Sequence, residues 1–253
     1  MPGKGQTKGE SQIDRLMDRA SRALEATRYF EAERLAAGAL QRAHSASDFE
    51  RMARILLPLQ EARRQKHQLA VNSGRSFLVN KASAMHADEL EAGCYLFQPP
   101  LIGIDARTFR ETADSRQVPV VVITREPMTR EGKWPIVAVN GTISVRTRVD
   151  PPWKLERVEP SITKDAVNGV AFGAPPTPWF EAAGEALGDA ALARLKPEDP
   201  AAWRVDDLLG FLDCHPDHEK LHQRLADECR LAMTQPLPEG RRHRPLLDDP
   251  FSF

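Results

Sequence analysis

Cysteine is scarce in this 253-residue chain: Cys94, Cys214 and Cys229 are odd in number and widely spaced. That excludes a disulfide framework and points to a reducing compartment. Long apolar runs are missing. The longest, residues 118–123, has strand length and contains Pro119, against the roughly 18–20 residues that a membrane helix needs. The first twelve residues have no apolar core of the kind a signal peptide carries, so the expectation is a cytoplasmic protein without a membrane partner. Charge of one sign is absent too. Lys plus Arg number 35 and Asp plus Glu 36, a net charge of −1. A dedicated nucleic-acid binder draws its affinity from neutralised phosphates and carries a basic excess, so nucleic acid is disfavoured as a partner. The G-x-x-x-x-G-K-[ST], G-x-G-x-x-G and G-x-S-x-G patterns are all lacking, which removes support for the common nucleotide sites and for a nucleophile-elbow hydrolase.

What is present is ordinary globular composition, 41% hydrophobic and 28% charged, arranged in zones. An excess of arginine over lysine fits a GC-rich bacterial genome. Residues 1–12 are polar and read as a disordered tail. From Ile13 the apolar residues recur at helical spacing: Ile13, Leu16, Met17, Ala20, Ala23, Leu24. A second helix is expected over 30–43. Ser47-Asp48-Phe49-Glu50 has the letters of a capping box and opens a third helix to about residue 66, with Pro58 inside it. Residues 71–176 form the mixed unit. Cys94–Phe97 reads as a buried strand, Asp105 as the N-cap of a helix to 115, and Val118–Thr124 as a β-branched central strand, together a small βαβ crossover. Asn140-Gly141 between two strand-like runs predicts a two-residue turn in a hairpin over 135–149. Its second arm alternates Ile143, Val145, Thr147 and Val149 against polar residues. Leu155–Val158 and Val170–Phe172 could add edge strands. Helices return over 177–233, and 234–253 reads as a flexible tail. The fold class expected is therefore α+β: a helical domain over 13–70, a small mixed sheet with a hairpin, and C-terminal helices.

The pair of helices from Leu16 to Leu40 resembles a tetratricopeptide repeat (TPR). The matching residues are Leu16 and Ala20 on the first helix, Tyr29 at the turn, and Ala32, Ala39 and Leu40 on the second. Ala23 and Ala36 stand where that family usually has large residues, and His44 where it has proline. One repeat is visible, plus a helix that could begin another, covering about residues 13–66; arrays generally need about three. An ordinary alanine-rich helical hairpin accounts for the same residues. The resemblance implies a protein partner held by the helices, with Leu16, Ala20, Tyr29 and Ala32 as the partner-binding set.

His218-Glu219-Lys220-Leu221-His222 satisfies H-E-x-x-H. Similarity to zinc peptidases would make His218 and His222 the metal ligands and Glu219 the general base. His215, Cys229, Glu228, Glu239 and His243 are the candidates for completing such a site. Lys220 and the early Pro216 depart from that family's pattern, and the downstream ligand signatures are missing. A helix start with partly buried, hydrogen-bonded histidines explains the same letters. Asp105, Arg107, Arg110 and Glu111 beside Arg125-Glu126 make a charge-dense patch that could hold an anion through arginine forks. Arg51, Arg54, Arg63, Arg64 and Lys66 make the third helix locally basic. The last stretch, Leu246 to Phe253, could dock in a groove or fold back on its own chain. Two readings follow: a non-enzymatic interaction or scaffold protein with no cofactor, or a zinc-dependent hydrolase.

Overall fold

The computed structural model describes residues 6–81, 90–152 and 174–239, with side chains from Gln12 onward. Among them are seven helices and five strands, an α+β protein. The elements run α1 (Gln6–Glu25), α2 (Tyr29–Ser45), α3 (Phe49–Asn72), β1 (Ser76–Val79), β2 (Gly93–Phe97), α4 (Gly103–Ser115), β3 (Val120–Arg125), β4 (Trp134–Val139), β5 (Ser144–Val149), α5 (Thr177–Ala193), α6 (Ala201–Cys214) and α7 (Glu219–Ala232). The possible edge strands at 155–158 and 170–172 lie outside the described residues, as do 240–253.

The chain divides into two units that ignore sequence order. One gathers residues up to Gln68, the loop Asn140–Ile143 and the stretch from Gly188 onward; the other holds Leu69–Val139 and Ser144–Leu187. In the helical unit α1 and α2 pack as a hairpin on alanine. Ala20, Ala23, Ala32, Ala36 and Ala39 are all buried, and methyl side chains are what let two helix backbones approach. Arg51 on α3 holds the bundle from outside, donating to Asp14 of α1 at 3.0 Å and to Asp48 at 2.7 Å. Glu33 of α2 accepts from Arg63 at 2.8 Å and Lys66 at 2.5 Å on α3.

The helix ends correct three expectations. The first helix starts at Gln6, inside the stretch read as a disordered tail. Good helix formers such as Lys8, Glu10 and Gln12 propagate a helix once the apolar turns nucleate it. The cap of α3 is Asp48, whose Oδ1 accepts from the Arg51 N–H at 3.0 Å. Ser47 instead ends α2 in the left-handed region, φ 52°. The Asp48 N–H reaches Ala43 O and the Ser47 N–H reaches His44 O, the paired bonds of a Schellman motif. Thr27 and Gln117 close α1 and α4 in the same way. Asp105 sits inside α4, not before it; its Oδ2 accepts from the Ile102 N–H at 2.9 Å.

The sheet unit has strand order β1-β2-β3-β4-β5. β1, β2 and β3 are parallel, and β3, β4 and β5 antiparallel. α4 is the β2–β3 crossover, as expected. Every residue of β2 is buried, which is why Gly-Cys-Tyr-Leu-Phe reads as an unbroken apolar run. Tyr95 and Phe97 face Phe109 and Ala106 of α4. β1 was not expected; Ser76-Phe-Leu-Val is too short to show a period. Gly93 makes its pairing possible, because a Cβ there would stand 2.9 Å from Arg75 O and from the Phe77 ring.

The hairpin exists, but not with the expected turn. Val139 pairs with Ser144, so the loop is Asn140–Ile143, and neither Asn140 nor Gly141 has positive φ. The Asn140 side chain organises it: Oδ1 accepts from the Thr142 and Ile143 N–H groups at 2.8 and 2.7 Å. Its Nδ2 donates to Gly210 O on α6 at 3.1 Å. A long-range bond therefore overrode the local type I′ preference.

Candidate binding groove

The H-E-x-x-H segment is built into the core of the helical unit. His218 is the residue before α7, in extended conformation, φ −82° and ψ 113°. It is therefore not a helical partner of His222 on an exposed face. Its ring is buried against α5, where a Cβ on Gly188 would stand 2.1 Å from it. His222 is also buried and has both ring nitrogens engaged. Nδ1 lies 3.0 Å from His218 O and Nε2 lies 3.1 Å from the Arg63 guanidinium. Since a carbonyl only accepts and a guanidinium only donates, Nδ1 carries the proton and the Nε2 lone pair is occupied. Burial first, and the Arg63 charge second, push the His222 pKa down to about 3. Glu219 accepts from Gln60 at 3.3 Å.

The other proposed ligands are turned to structural use as well. Glu228 is buried, its Oε2 taken by Arg204 at 2.7–2.9 Å and its Oε1 by Arg224 at 2.8 Å. Arg204 further donates to Pro197 O and Asp199 O, pinning the loop before α6. Cys229 is buried, and burial pushes its thiol up to about 12. His215 is buried and stacks beside His218, ring centroids 5.9 Å apart. Glu239 is at the end of the described residues, and His243 lies outside them.

The charge-dense patch of the sheet unit is largely engaged in local pairs. Arg107 pairs with Glu111 at 2.8 Å and Arg146 with Glu126 at 3.4 Å. Arg125 donates to Gln98 at 2.5 Å and stacks over Trp134 at 4.7 Å. On the third helix, Arg51, Arg63, Arg64 and Lys66 all pair with carboxylates of the helical unit.

What the helical unit does present is a groove of about 900 Å³ between α1 and α3, closed at one side by the end of α7. Its apolar walls are Met17 and Leu24 from α1, Ala53, Leu57 and Pro58 from α3, and Met233. Met17 and Leu24 share a stripe of α1 at a spacing of seven, and Ala53 and Leu57 a stripe of α3 at a spacing of four. Pro58 has no N–H for the Arg54 carbonyl, so the helix ladder is interrupted on this wall. Leu57 is 74% exposed and Met233 53%. Glu50, Arg54, Glu61 and Arg230 carry mixed charge at the same groove.

The expected partner-binding residues lie outside this groove. Ala20 and Ala32 are 1% exposed; they are packing residues of the hairpin and reach nothing outside it. Leu16 and Tyr29 are half-buried and line no part of the groove. The groove residues were legible only as helix periodicity, because which stripe of α1 stays uncovered depends on where α3 and α7 come to lie. No helix among the described residues is long and apolar enough to cross a membrane. Compared with known proteins, the chain matches no family model, no curated protein and no solved structure.

Proposed function

We propose that this chain is a non-enzymatic interaction protein whose TPR-like helical unit holds a peptide segment of a protein partner in the α1/α3 groove. The observation that carries the reading is the groove: it lies between the first helices of two successive helical units of the repeat-like pattern, and its most exposed wall is leucine. Apolar anchors entering a helix-lined groove are a common mode of peptide recognition. Mixed charge at the groove favours discrimination among partners over raw affinity. Three buried cysteines, none in a disulfide, suit a reducing cytoplasm, with the arginine-rich composition suiting a bacterial source.

The zinc-hydrolase reading would need another ligand set than the expected pair: among the described residues it is His218 with the exposed Glu185 and Asp189 that have metal-ligand spacing, their ligand atoms within 4.8 Å of one another. His222 has no lone pair to give and Glu219 faces Gln60. Metal analysis of tag-free protein is expected to return well under one zinc per chain. The interaction reading is tested by comparative capture with the intact protein and its Leu57→Asp variant. Leu57 is exposed, so the substitution is expected to leave the melting temperature within a few degrees. Specific partners recovered by the parent and lost by Leu57→Asp support the groove; an identical set from both refutes it.

A further inference from the structure

We propose that residues 246–253 of this same molecule, Leu-Leu-Asp-Asp-Pro-Phe-Ser-Phe, dock in the α1/α3 groove and compete there with the partner. The inference rests on the interaction reading above and adds the regulation of that site. Three observations carry it. The first is where the segment begins. Met233 is both the C-cap of α7 and a wall of the groove, so the chain that follows leaves α7 at the groove itself. Fourteen residues follow Glu239, an extended reach of about 45 Å at roughly 3.3 Å each. That is ample to turn back on a groove bounded by the preceding helix.

The second observation is chemical fit. Within eight residues the segment carries Leu246, Leu247, Phe251 and Phe253, with Pro250 favouring an extended backbone before it. The groove offers methionine at two of its walls, Met17 and Met233, and thioether side chains adapt to aromatic and branched anchors alike. The third is charge. Asp248 and Asp249 fall between the two apolar pairs, and the groove holds Arg54 and Arg230, the latter 62% exposed and shared with Asp227 at 2.6 Å. A tethered segment acts at an effective concentration on the order of millimolar, so it gates a site even with weak intrinsic affinity.

The test uses the full-length chain and a variant with Leu246→Ser, Leu247→Ser, Phe251→Ser and Phe253→Ser. A fluorescent synthetic peptide of residues 244–253 is titrated into both. The variant is expected to bind the peptide at least about tenfold more tightly than the parent, whose groove is already occupied. In methyl-labelled methionine NMR, the Met17 and Met233 signals should differ between parent and variant and return toward the parent position when peptide is added. The Met52 signal, from a buried residue away from the groove, should stay in place. No peptide binding to the variant overturns the proposal, as does equal binding to both. A parent that is dimeric by light scattering while the variant is monomeric also overturns it, since the segment then sits on a second copy. Loss of partner capture by Leu57→Asp without any peptide effect would leave the interaction reading standing and this inference alone refuted.

Discussion

Lowering the pH from 6.5 to 5 is expected to destabilise the protein by about 2 kcal/mol through His222 alone. In the folded chain the ring is held neutral, its pKa down to about 3, chiefly by burial and then by the Arg63 guanidinium at Nε2. In the unfolded chain the same ring titrates near 6.5. Between those values the unfolded state binds one proton more than the folded state, so stability falls by about 1.4 kcal/mol for each pH unit. The sign follows from a depressed folded pKa: the contribution is whole above pH 6.5 and is lost as the pH falls toward 3. Glu33, Asp14 and Glu61 are also held below their ordinary values, but their losses begin below about pH 4.5. The interval from 6.5 to 5 therefore isolates histidine. Urea unfolding followed by circular dichroism at several pH values measures the slope, and His222→Leu should flatten it by about one proton. Ring NMR of the folded protein should show His222 still neutral at pH 5. A His222 ring that titrates above pH 5 in the folded state, or a slope unchanged in His222→Leu, would refute the reasoning.

Two glycine-to-alanine changes should have opposite signs in thermal melts. Gly188→Ala puts a methyl 2.1 Å from the His218 ring and should cost about 1–3 kcal/mol, whereas Gly38→Ala, with nothing within 4 Å on α2, should stabilise by about 0.5–1 kcal/mol. Ser47→Gly relieves a left-handed residue with a Cβ and should raise stability by about 1 kcal/mol; a lower melting temperature would contradict the Schellman assignment. Arg204→Met takes away the buried partner of Glu228 and leaves its carboxylate to the half-exposed Arg224 alone; the change should cost up to about 3–5 kcal/mol, with Glu228→Met added on top recovering part of the loss, and chemical denaturation of the single and double variants decides it.

The order and type of the main elements were legible in the residues. Alternation in Ile143, Val145, Thr147 and Val149 implied a strand with one buried face; the strand is there, but only Val145 is buried, Thr147 and Val149 are intermediate, and Ile143 falls in the loop. Spacings of three and four in α1, α2 and α7 implied helices, and the β-branched run Val120–Ile123 lies within β3. These are local properties: a backbone period and a side-chain preference act within a few residues of themselves. Helix ends were read less well. Ser47 and Asp48 are both good caps by letter, and only the path of the chain leaving α2 assigns one to each helix.

The candidate site lay beyond what local rules can reach. H-E-x-x-H is a pattern in one segment, yet its chemistry was decided by Arg63, 159 residues away in the chain, which took the His222 lone pair. The open groove is set by the same kind of long-range packing. Ala20 and Met17 are both apolar residues of α1, but α2 covers the first while the second lines the groove between α1 and α3. By itself the sequence determined the α+β class, the helical periods, the crossover and the balance of charge. Tertiary structure alone decided which polar groups were consumed in the core and which apolar stripe was left open, because desolvation and packing depend on neighbours brought together by the fold.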